Sequence, residues 1–302
     1  MTRSLRPPVA VALVWCATAI SSDAPMSIAA QPQTLQLEVF VGEADSWDVT
    51  STLIYGKTEA ILVDSQFRIS QAKKLADRIA TTGRRLKAII ITHPDYDHYI
   101  GMPVLAQRFP DAPIYMTAAG LEAFKRTSRK YLAAKMASEP SETPDRLPAP
   151  EVLPTSIFSV DDQAVEVIQD FPGDVLKATN GFLWIPSLRA VIAGDIVFNG
   201  VHVWLGDSTP ESRRAWHESL RLMSALHPRV IVAGHKKNAN VPDSPQVIAS
   251  METYLDDFES ARSAASSAGE VVAVMKRKYP DLAQEKLLVF SAKTAISGAA
   301  HQ

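Results

Sequence analysis

The sequence predicts an α/β fold in which two sheets pack together and helices cover their outer faces. Three observations predict it. Apolar runs rich in β-branched residues alternate with stretches of helical period along the chain. The alternation falls into two halves of the same character, on either side of a proline-rich stretch at 138–155. The chain has 302 residues, 46% of them hydrophobic, which is enough for one large core or two small ones.

The elements follow in order. Residues 1–30 read as an export signal: Arg3 and Arg6 give a positive start, 9–20 an apolar core, and "SIAAQ" at 27–31 small residues for cleavage. The apolar run is short for a bilayer span, so no stable membrane insertion is expected after cleavage, and the mature chain is expected to be periplasmic or secreted. Cys16, the only cysteine, lies in this segment, which leaves the mature chain without a disulfide or a thiolate nucleophile. Residues 35–41, 50–55 and 60–63 read as strands, the third closed by Asp64. Ser70 is placed to cap a helix with an apolar face of Ala72, Leu75, Ala76 and Ile79, and Gly83 to end it. A buried strand at 87–91, a short helix after Gly101, a strand at 114–116 and a longer helix at 118–137 complete the first half.

Five prolines within 138–155 argue against a helix or a central strand there. The same strand character resumes after them, so the stretch reads as a surface excursion of a single domain covering 31–302. Strands are expected at 157–160, 164–168, 181–185 and 190–193, with "IPSLRA" turning between the last two. Thr209 can cap a helix with Pro210 at its first position, ending near 226. A buried strand at 230–233 follows, and two or three helices after Pro245 finish the chain.

The formal net charge is −2, with no long charge runs, so composition gives no case for nucleic acid as a partner. The chemistry lies elsewhere. Four apolar runs end on an ionisable residue: Asp64 after "AILV", His93 after "AIIIT", Asp195 after "AVIAG" and His235 after "VIVAG". One aspartate at a strand end is ordinarily a turn residue. Four such ends, one opening the sequence "THPDYDH", point to ligands gathered at one edge of a sheet. Imidazole and carboxylate are ligands for zinc and comparable divalent ions. In an extended loop, His93, Asp95 and Asp97 share a face, and His98 turns back at the following helix.

"THPDYDH" resembles the His-x-His-x-Asp-His signature of the metallo-β-lactamase fold, and the resemblance extends along most of the mature chain. It implies a four-layer αββα sandwich with a dinuclear site at the sheet edge. By this resemblance Asp64 supports the metal site with Thr92 beside it, Asp195 bridges two metals, and His235 is the late histidine ligand. Two positions depart from the pattern. Asp95 stands where the family has a second histidine, and the third ligand, ordinarily a histidine after glycine, is best matched by Asp174 in "PGD", with Asp170 the competing choice. The family geometry then gives one ion His93, Asp95, Asp174 and Asp195, and the other Asp97, His98, Asp195 and His235.

Four carboxylates balance two divalent ions, whereas one ion leaves surplus buried charge. Two divalent cations are therefore expected: zinc by default, with manganese or iron also suited to the carboxylate-rich site. The alternative is one filled site. Water shared by two cations is acidified toward hydroxide, with Asp97 holding it and passing its proton to the leaving group. The expected reaction is hydrolysis of an ester, lactone, amide or similar bond in a small molecule. His202 and Trp204 fall where a loop would overhang the metals, as oxyanion donor and apolar wall or else as packing residues. Tyr96 and Tyr99 flank the ligands, lining the pocket or packing around the loop. Two other functions stand beside this one: periplasmic β-lactam hydrolysis, and a non-catalytic metal- or ligand-binding protein. Oligomeric state is open.

Overall fold

The computed structural model describes residues 34–175 and 179–298. The export reading of residues 1–30 lies outside the described residues. The first sheet holds β1 (Gln36–Val41), β2 (Thr50–Tyr55), β3 (Glu59–Val63), β4 (Arg85–Ile90), β5 (Ile114–Met116) and β6 (Glu151–Val152), hydrogen-bonded in that order. Between them run α1 (Ile69–Thr81), α2 (Tyr96–Tyr99), α3 (Met102–Arg108) and α4 (Ala118–Ser138). The second sheet takes the order β12-β10-β9-β8-β7, from β7 (Ile157–Val160), β8 (Gln163–Phe171), β9 (Asn180–Ile185), β10 (Ala190–Ile192) and β12 (Val230–Val232). β11 (Phe198–Asn199) and β13 (His235–Lys236) form a separate parallel pair. Helices α5 (Pro210–Ala225), α6 (Val247–Ala264), α7 (Ala268–Lys278) and α8 (Glu285–Ser297) complete the described chain.

Side-chain alternation along the strands explains the layers, because neighbouring residues of a strand face opposite ways. Ile54, Ile61, Val63 and Ile90 of the first sheet meet Val165, Val167, Leu183, Ile185, Ile192 and Val232 of the second in one buried cluster. The residues between them point outward. Leu53, Leu62 and Ile89 pack under Leu75 and Ile79 of α1, Leu105 of α3 and Phe124 of α4. Phe182, Val191 and Ile231 pack under Trp216 of α5, Leu255 of α6, Met275 of α7 and Leu288 of α8. The result is helix, sheet, sheet, helix: the αββα sandwich expected from the sequence.

One local expectation is corrected. Ser70 does not cap α1. The helix starts one residue earlier, and the Ser70 N–H is taken instead by Glu142 Oε2 at 2.9 Å, from the proline-rich stretch. That stretch also supplies a strand, since β6 adds to the edge of the first sheet beside β5, where an edge tolerates neighbouring prolines. Thr209 does cap α5, accepting from the Ser212 N–H, while Ser212 Oγ accepts in return from the Thr209 N–H. No helix among the described residues is long and apolar enough to cross a membrane.

Candidate metal centre

The centre is built where four strands stop. Asp64 follows β3, Thr92 and His93 follow β4 closely, Asp195 follows β10, and His235 follows β12. β3 runs parallel to β4 and β10 parallel to β12, so each pair exits its sheet at one end. Thr50, at the start of β2, ties the two halves together: its N–H donates to Gly234 O at 2.7 Å and its Oγ1 to Ala233 O at 2.6 Å. Gly194 turns the chain into Asp195 at φ 52°. A Cβ there would sit 2.9 Å from Thr92 Oγ1, so glycine is required both by the turn and by the neighbour.

Each histidine is held by one ring nitrogen. Asp64 Oδ2 accepts from His98 Nδ1 at 2.9 Å, and the Trp47 carbonyl accepts from His235 Nδ1 at 2.7 Å. His93 Nδ1 lies 2.9 Å from Thr92 Oγ1, which itself donates to Asp64 Oδ2 at 2.9 Å. Asp64 therefore reaches one histidine directly and another through Thr92. Phe198 stacks flat on the His235 ring, 5.1 Å between centroids. These contacts fix the tautomers and leave every Nε2 facing inward.

The inward atoms converge. Asp195 lies 3.0 Å from Nε2 of both His98 and His235, and 3.8 Å from Nε2 of His93. Asp97 Oδ2 is 3.2 Å from His235 Nε2. Three trios of ligand atoms lie within 4.8 Å of one another: His93, Asp95 and Asp174; Asp97, His98 and His235; and His93, His98 and Asp195. Asp170 is exposed, whereas Asp174 is fully buried, so the geometry favours Asp174 as the carboxylate beside His93. His93 Nε2 and Asp174 Oδ2 are buried without a hydrogen-bond partner, 3.9 Å apart. That is too far for a hydrogen bond but within the roughly 4.1 Å spanned by two zinc–ligand bonds. Such orphaned atoms are costly unless something between them satisfies both. The donor set therefore fits divalent cations.

Electrostatics divide the centre. Burial, reinforced by the neighbouring His98, pushes His93 down to about 4 and keeps its ring neutral. Burial also opposes charge on Asp195, but His235, His98 and His93 overcome it and hold Asp195 well below the usual carboxylate range. The same contacts raise His98 well above its ordinary value and His235 to about 10, against their burial. Asp97 is lowered, since His98 and His235 outweigh its burial. Burial and Asp97 push Asp95 up to about 8, and burial and Asp95 raise Asp174 well above the carboxylate range. One side of the centre holds paired charges. The other holds carboxyls that need a cation to ionise.

A cleft of about 340 Å³ opens over these groups, walled by Trp47, Tyr96, Tyr131, Trp204, Leu287 and Phe290. Of the two readings open for each, Tyr96 and Trp204 take the cleft. His202 and Tyr99 take the packing one. His202 is 2% exposed and its Nδ1 meets Tyr254 Oη at 2.9 Å, because its N–H is bonded to Ala283 O and the segment runs beneath the helical layer. Tyr99 is fully buried, edge-on to Phe124 of α4. Sequence reasoning missed Trp47, Tyr131, Phe290 and Asn180, whose Nδ2 donates to Asp174 Oδ1 at 3.1 Å. They lie in a hairpin, two helices and a strand start that carry no local motif.

The family model of the metallo-beta-lactamase superfamily matches residues 44–235. Solved structures of similar fold include a beta-lactamase domain protein from Burkholderia ambifaria, at 17% identity and TM-score 0.61, covering 86% of this chain and 84% of that one. A metallo-beta-lactamase family protein from Thermus thermophilus aligns at 17% identity and TM-score 0.60, over 86% of this chain and 91% of that one. The metallo-beta-lactamase from Pontibacter korlensis aligns at 19% identity and TM-score 0.52, over 80% of this chain and 98% of that one. At these identities the likeness is one of fold. An oxidase of reduced coenzyme F420 from Methanocaldococcus jannaschii is 30% identical over 79 residues, 24% of this chain and 19% of that protein.

Proposed function

The chain belongs to the metallo-beta-lactamase superfamily, and on that footing we propose that it is an exported hydrolase of small molecules working with two divalent cations. Membership supports metal-dependent, hydrolase-type activity in general. The finer reading rests on one observation: His93, Asp95 and Asp174 gather in one trio and Asp97, His98 and His235 in another, and Asp195 gathers with a histidine of each. His93, Asp95, Asp174 and Asp195 would hold one cation, and Asp97, His98, Asp195 and His235 the second. Zinc suits the imidazole-rich side, and manganese or iron suits the carboxylate-rich side.

Bound cations would supply Lewis acidity toward water and toward a substrate carbonyl or phosphoryl oxygen. The chain supplies the rest. Asp64 and Thr92 keep the His93 and His98 rings aimed. Asp97, on the cleft side, accepts the proton of the attacking water and passes it to the leaving group. Trp204, Tyr96, Tyr131 and Phe290 wall the cleft, so the substrate carries an apolar body beside its ester, lactone or amide bond. The positive start and apolar run of residues 1–30 favour export.

The test is elemental analysis of the purified protein, followed by an ester, lactone, amide and β-lactam panel with and without chelator. Two cations per chain and chelator-sensitive turnover support the proposal. A metal-free, inert protein supports the non-catalytic binding reading instead. A second reading, redox chemistry at the metal pair, draws on the likeness to the F420 oxidase. Iron as the resident metal, with oxygen consumed at the expense of added reduced coenzyme F420 and no hydrolysis, would support it.

A further inference from the structure

We propose that Asn180 is a positioning residue for the carboxylate-rich cation site: it holds one oxygen of Asp174 so that the other stays turned toward His93. The inference rests on the metal-centre reading above. Asn180 opens β9 and is fully buried. It pairs with Phe171 across an irregular end of β8, and the next N–H, of Gly181, donates to Thr92 O at 2.9 Å. The start of β9 is thereby fixed against the same loop that carries His93.

From this anchored position Asn180 Nδ2 donates to Asp174 Oδ1 at 3.1 Å. With a cation in place Asp174 is ionised and only accepts, which suits the amide nitrogen that faces it. Asp174 Oδ2 is left buried and without a hydrogen-bond partner, 3.9 Å from the equally unpartnered His93 Nε2. Asp174 follows β8 by three residues in a stretch without helix or strand, whereas Asp195 sits in a 3-10 turn at Gly194–Ile196 and His235 opens β13. The amide sets the direction of Asp174 from outside the cation site. Gly173 permits it, because a Cβ there would stand 2.5 Å from Asn180 Nδ2 and push the amide away. The sequence around Asp174 therefore reads as a unit: a small residue, a ligand, and a distant amide that orients it.

The test titrates Zn2+ and Co2+ into chelator-treated full-length protein, for wild type, Asn180→Ala and Gly173→Ala. Asn180→Ala should weaken one cation by about 10–100-fold, the range for loss of an outer-shell partner. The other cation should keep its wild-type affinity, the cobalt spectrum should change at one site only, and the metal-free melting temperature should hold. Gly173→Ala should give the same pattern with the amide still present. If wild type holds a single cation, its selective weakening at an unchanged metal-free melting temperature supports the proposal equally. Wild-type affinity for every cation in both variants overturns it. So does uniform weakening together with a lowered metal-free melting temperature, which marks a role in folding alone. A wild type that takes up no cation defeats the metal-centre reading, and this inference with it.

Discussion

Replacing Asp195 with asparagine keeps the shape of the side chain and removes the charge on which both imidazoles lean. The carboxylate is 3.0 Å from Nε2 of His98 and of His235. At an effective dielectric near 20, one such pair amounts to about 5 kcal/mol. At 1.36 kcal/mol per unit that is about 4 pKa units. His235, raised to about 10 against its burial with Asp195 the largest favourable influence, should then titrate near about 6 in Asp195→Asn. The assay is a ring-resonance titration of chelator-treated protein by NMR. At about pH 8 wild-type His235 should carry its proton and the variant's should not. The proton also competes with any cation for the same nitrogen, so cation uptake by wild type should release protons and weaken as pH falls below about 10. Calorimetry in buffers of different ionisation enthalpy reads that release, which should shrink in the variant. A variant His235 still protonated at about pH 8 would refute the claim that Asp195 organises the centre.

Three further outcomes are expected. Asp97→Ala should lower hydrolysis by about 10²–10⁴-fold, the range for general acid–base catalysis, without lowering the metal-free melting temperature; an unchanged rate would remove Asp97 from the chemistry. Asp95→His should tighten zinc on the carboxylate-rich side in competition against a calibrated chelator, and no gain would count against Asp95 as a ligand. His202 is held neutral by burial, its pKa lowered to about 4 from an unfolded value of about 6.5. The unfolded chain therefore binds the proton first, so stability is full above about 6.5 and falls as pH drops toward about 4. Urea midpoints across that range should fall less steeply in His202→Asn.

Much of this is legible in the sequence, for a physical reason. Buried strands are long apolar runs, and a polar residue ending such a run is conspicuous; Asp64, His93, Asp195 and His235 were found in this way. The His and Asp spacing within "THPDYDH" and the resemblance it carries supplied the αββα layers. Cleft walls escaped because Tyr131 and Phe290 sit on helices whose sequence does not say which side faces the centre. Asn180 escaped because an asparagine opening a strand looks like any turn residue. His202 was left between two readings because its loop follows Asp195 closely, and the hydrogen bond to Ala283 settles it as a packing residue under α6 and α8. Ser70 misled because Glu142, far along the chain, does what a local cap would have done.

The centre takes His93, Asp95, Asp97 and His98 from one half of the sandwich and Asp174, Asp195 and His235 from the other, with Thr50 as the stitch between them. Neither half owns a complete coordination set. Any ion seated there is consequently a fastener across the domain, and loading it adds resistance to unfolding that grows with its concentration, about 4 kcal/mol at a thousandfold excess over its dissociation constant. Pulling the layers apart and emptying the centre become one event.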